Sequence, residues 1–131
     1  MADSIASLQV LNENSKRVTV KVVGATGPET NGTLVDASDY IGATGLTNLM
    51  SINRIDWNIN DTGLVTLIWD GSSDVVATKL SRNGSWQLKR ENNVKLTNNA
   101  PGANGDILVT STTGNYTLLI ELEKTGSGWA Y

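Results

Sequence analysis

Apolar and polar residues alternate along much of this chain. A period of two is the mark of strands with one face on a core. Val18, Val20 and Val22 share one face, while Thr19 and Lys21 take the other. Ile55, Trp57 and Ile59 alternate with Asp56 and Asn58. Tyr116, Leu118, Ile120 and Leu122 alternate with Thr117, Leu119, Glu121 and Glu123. Shorter runs at 6–11, 64–69, 75–80, 86–89 and 107–112 read as further strands. No segment sustains helical periodicity. The pattern predicts an all-β fold: a single-domain β-sandwich or jelly roll of about eight short antiparallel strands.

Turn residues fall between these runs. Asp61-Thr62-Gly63 reads as a hairpin turn with its glycine at positive φ, and Asp70-Gly71-Ser72-Ser73 divides the next pair. Asn83-Gly84 is the strongest short hairpin signal in the chain, and Thr113-Gly114-Asn115 joins the last two strands as a C-terminal hairpin. The stretch 52–88 therefore reads as a four-stranded antiparallel meander. Two segments do not fit. Residues 25–45 are glycine-rich, with Gly-Ala-Thr-Gly at both 24–27 and 42–45, and read as a long loop with a short helix near Ser38. Residues 92–105, with Pro101, read as a long crossing of the kind that Greek-key and jelly-roll folds need.

Composition supports that reading. Asn, Thr, Ser and Gly together make 53 of the 131 residues, where Thr suits strands and the others suit turns. Such a length fits one domain, with a short N-terminal arm over 1–7 and a C-terminal tail over 125–131. The formal net charge is −3, and the ten Lys and Arg form no basic block. Neither nucleic acid nor an anionic membrane is expected as a partner. No basic-then-apolar leader opens the chain and no run is long enough to span a bilayer, which points to synthesis in a cytoplasm. The four Asn-x-Ser/Thr sequons follow from Asn and Thr richness.

Histidine and cysteine are both absent. That removes the usual general base, the Ser-His and Cys-His pairs, disulfides and the preferred ligands of transition metals. Carboxylates beside tryptophans, Asp56-Trp57 and Trp69-Asp70, would suit a glycosidase only as two acids facing across one cleft. The string Asp56-x-Asn58-x-Asn60 opens like a calcium loop, but Asp61 and Leu67 stand where glycine and glutamate belong. The turn at 70–74 could hold a hard cation, though it reads first as a turn. The expectation is a protein that is not an enzyme and carries no cofactor and no metal.

Aromatic residues are the most informative side chains. Trp57, Trp69 and Trp86 either pack together in the core or line an exposed face as ligand-facing aromatics that stack on a glycan. Trp129 and Tyr131 end the chain after Thr125-Gly126-Ser127-Gly128, and either fold back or dock on a neighbouring subunit. Ile5 and Leu8, near the N-terminal arm, join them as candidate partner-binding residues.

The run Gly105-Asp106-Ile107-Leu108-Val109-Thr110-Ser111-Thr112-Thr113-Gly114, followed by Tyr116-Thr117-Leu118-Leu119-Ile120-Glu121-Leu122-Glu123-Lys124, resembles the end of small virion proteins of marine tailed phages, cyanophages among them. Ile68-Trp69-Asp70-Gly71 and Asn83-Gly84-Ser85-Trp86 fit the same pattern, so the resemblance spans roughly 52–124. It implies a capsid decoration (cement) protein or another particle component. Its partners would be capsid or other virion proteins and copies of itself. It brings no catalytic residue with it. The alternative is a carbohydrate or host-surface binding module on a tail or particle.

Overall fold

A computed structural model describes residues 5–14, 16–24, 29–36, 49–60, 62–88, 95–103, 105–113 and 115–125. Among them are nine strands: β1 (Ile5–Glu13), β2 (Arg17–Gly24), β3 (Glu29–Val35), β4 (Met50–Ile59), β5 (Leu64–Trp69), β6 (Val75–Ser81), β7 (Asn83–Gln87), β8 (Ile107–Ser111) and β9 (Tyr116–Lys124). They form two antiparallel sheets, one ordered β1-β2-β9-β4-β7 and the other β3-β8-β5-β6. The fold is the expected all-β sandwich.

The connectivity is that of a jelly roll. β2 pairs with β9, β3 with β8, β4 with β7 and β5 with β6. These are nested antiparallel pairs, closing at the turn between β5 and β6. From β2 to β5, and again from β6 to β9, each strand lies in the opposite sheet from the one before it. A two-stranded ribbon folded over on itself gives this order. β1 adds a fifth strand on the free edge of β2.

Alternation fills the space between the sheets. Val18, Val20 and Val22 of β2 meet Tyr116, Leu118, Ile120 and Leu122 of β9, Ile52, Ile55 and Ile59 of β4, and Val65, Leu67 and Trp69 of β5 in one buried cluster. In β4 the inward positions change from even (Met50, Ile52) to odd (Ile55, Trp57, Ile59). A bulge at Asn53 absorbs the extra residue and keeps both sets facing inward. The last inward position of β9 is a charge, Lys124, fully buried. Its Nζ lies 3.2 Å from Glu13 Oε2 and donates to the Asn14 carbonyl at 2.7 Å. That links the end of β9 to the β1–β2 turn, where Asn14 Oδ1 accepts from the amides of Lys16 and Arg17.

Several connections differ from the sequence reading. Of the four turns read from the sequence, only the one at 70–74 joins hydrogen-bonded neighbours, β5 and β6. The connection from β4 to β5 leads from one sheet to the other, as does the connection from β8 to β9. The meander and the C-terminal hairpin are therefore replaced by crossings. Gly63 is not among the positive-φ glycines; a Cβ there would collide with Asn60, Thr113 and Ile59, so close packing requires it. Asn83-Gly84 opens β7 itself, and the corner before it is turned by Arg82 at φ 59°. The long loop assigned to 25–45 contains β3. The short helix near Ser38 and the second Gly-Ala-Thr-Gly string lie outside the described residues. Of the expected N-terminal arm, residues 5–7 already belong to β1, and residues 1–4 lie outside the described residues.

Candidate functional site

Two surfaces gather the residues that the sequence singled out. The first is the rim of the sandwich at β4 and β7. Trp57 lies opposite Gly84, and Ile55 opposite Trp86, all on the core-facing side of the sheet. The Trp57 and Trp86 rings meet edge to face, with centroids 5.8 Å apart and planes at 90°. Trp57 Nε1 donates to the Ser81 carbonyl at 2.9 Å, which fixes the ring against the β6–β7 corner. Trp86 remains 40% exposed. Trp69 sits in the other sheet and is only 1% exposed, so it is a core residue and not a ligand-facing one. Perpendicular rings give no flat platform: Trp57 is half-buried, and Trp86 is the one exposed tryptophan among the described residues.

The second surface is β1. It pairs with β2 on one side, and no described strand pairs with its other side. Its regular stretch sets Ser7, Leu8, Gln9 and Val10 opposite Val23, Val22, Lys21 and Val20. Cross-strand partners share a face. Leu8 and Val10 therefore continue the apolar inner face beyond the buried Val20 and Val22, at the sheet margin, and are 41% and 44% exposed. Leu11, the extra residue of a bulge, is 48% exposed. Three large apolar side chains thus stand in water on one edge strand. Leu8 was legible as a candidate. Val10 and Leu11 were not singled out, although they sit in the same apolar run at 6–11. The backbone of Ile5 begins the strand, opposite Gly24. Trp129 and Tyr131 lie outside the described residues.

The suspected acid chemistry has no assembled counterpart among the described residues. Asp56 faces outward from β4, where its Oδ2 lies 2.7 Å from Arg54 and its Oδ1 accepts the Ser85 hydroxyl. Asp70 follows β5 in the opposite sheet, so the two acids beside tryptophans do not share a cleft. Asp56, Asn58 and Asn60 run along and just past β4, with no calcium-loop geometry. In the turn at 70–74, Asp74 Oδ1 accepts the Gly71 amide at 3.1 Å, and Ser72 bonds through its amide and hydroxyl to the Pro101 carbonyl. The carboxylate closes the turn. No group of three His, Cys, Asp or Glu that could hold a metal ion occurs among the described residues.

Comparison with known proteins adds no identification: no family model, no curated protein and no solved structure matches this chain.

Proposed function

We propose that this chain is a non-enzymatic structural protein of a virus particle, a decoration or cement protein that binds the head shell of a tailed phage. The observation that carries the reading is β1: an edge strand with three exposed apolar side chains, attached to an otherwise well-filled sandwich. An edge of that kind is suited to joining a neighbour through main-chain hydrogen bonds and apolar contact. Jelly rolls recur in capsid proteins as well as in lectins and cupins, so the connectivity agrees with the reading without selecting it. The resemblance of residues 52–124 to small phage virion proteins points the same way.

Quantitative peptide mass spectrometry on purified particles of the virus encoding this chain tests the proposal. Hundreds of copies per particle are the expected result, since decoration follows the symmetry of the shell. A handful of copies would move the protein to the tail or neck. Complete absence from the particles would overturn the reading.

A further inference from the structure

Four strands end the two sheets, and three of them carry features that blunt pairing. β7 is five residues long and follows β4 only from Arg54 to Asn58. β3 has two register irregularities that leave only Gly32 and Thr33 in consecutive register. β6 exposes Lys79 near its middle. Short length, irregular register and an edge lysine each disfavour the addition of another strand. β1 is nine residues long, and no charge occurs from Ile5 to Asn12. Its one charged residue, Glu13, is held by buried Lys124. β1 has two register irregularities as well, one on each side of Ser7–Val10, but they leave those four residues in consecutive register, the stretch that carries Leu8 and Val10.

From this we infer that β1 is a self-association edge: it pairs antiparallel with β1 of a second copy, about a two-fold axis through Gln9, and joins two five-stranded sheets into one of ten strands. Parity selects the axis. The inner faces of both copies stay on one side only if the axis passes through a residue, because opposed residues must then share a face. An axis at Gln9 sets Leu8 against Val10 of the second copy and Val10 against its Leu8. The two exposed apolar pairs then cover one another, and the interface is isologous.

Charge permits this arrangement. The nearest like charges that the axis brings face to face are the two copies of Lys21, each opposite Gln9 in its own hairpin. Three strand spacings separate them, about 14 Å. That exceeds the Debye length of about 8 Å at physiological ionic strength, so their repulsion is screened. A second copy therefore fits the edge in hydrogen bonding, apolar pattern and charge. The inference goes beyond the virion reading and stands without it, since it concerns the isolated chain in solution.

Sedimentation equilibrium of the full chain at micromolar concentrations tests it. The expected mass is twice the 14.0 kDa of the chain. Val10→Lys should halve that mass with an unchanged circular dichroism spectrum. Val76→Lys, on the β6 edge and equally exposed at 49%, should leave the dimer intact. Because the chain has no cysteine, Gln9→Cys supplies a single thiol on the axis, and mild oxidation should give a covalent dimer. A monomer at every concentration would overturn the inference. So would a dimer indifferent to Val10→Lys, or a Gln9→Cys dimer that fails to cross-link. The particle measurement can fail while this one succeeds, and the reverse, so the two readings are judged separately.

Discussion

At the scale of single residues, the rim shows how one side chain dictates its neighbour. Trp57 lies across the β6–β7 corner because its indole nitrogen satisfies the Ser81 carbonyl. The strand opposite must leave room, and Gly84 does: a Cβ there would sit 2.6 Å from Trp57 Cζ2. Gly84→Ala is expected to cost about 1–3 kcal/mol, the usual range for overpacking. Urea unfolding of wild type and variant would measure it, and an unchanged midpoint would mean that the ring simply moves aside. In the sequence, Asn83-Gly84 advertises a two-residue hairpin, a local signal. The glycine serves a contact between residues 27 positions apart, which no local pattern encodes. Trp69 makes the same point: its parity with Val65 and Leu67 places the three on one face, but only the second sheet shows that this face is the core.

Among the elements, β9 and β1 are joined by a charge where the sequence pattern would place an apolar residue. The inward series Tyr116, Leu118, Ile120, Leu122 ends in Lys124, whose buried ammonium is held by Glu13 and the Asn14 carbonyl. Removing one member of a buried pair strands the other. Lys124→Ala should therefore destabilise the fold by about 3 kcal/mol. The loss should concentrate at the β1–β2 hairpin, where hydrogen exchange of the β1 amides would quicken before that of β4. A variant as stable as wild type would show that water replaces the ammonium at no cost. The same scale explains why the alternation in β4 is legible over only part of the strand. Its alternation was visible from Ile55 to Ile59, but Met50 and Ile52 lie on the opposite parity. The bulge at Asn53 that reconciles them shows only once β9 is paired alongside. β3, with two irregularities in seven residues, was lost in a glycine-rich stretch for a similar reason.

For the whole molecule, the order of pairing governs how the chain folds. Only β1–β2 and β5–β6 join strands adjacent in sequence; β2–β9, β3–β8 and β4–β7 join segments separated by much of the chain. The entropy of closing those loops must be met before the contacts form, so refolding is expected on the millisecond-to-second scale. Stopped-flow tryptophan fluorescence would record it, with buried Trp69 as an internal reporter. Microsecond refolding would contradict the nested pairing.

The sequence alone determined the class of the fold, because a period of two with abundant turn residues can bury one face only as strands in packed sheets. It also fixed most strand positions and the direction each apolar face takes. Which strands pair, and in which sheet, was decided by the tertiary structure. A crossing between sheets and a hairpin within one sheet use the same Gly, Asn and Asp residues, and local chemistry does not tell them apart. The exposed edge was likewise decided there: Leu8 and Val10 look like core residues in sequence, and become surface only because the opposite sheet does not extend over them.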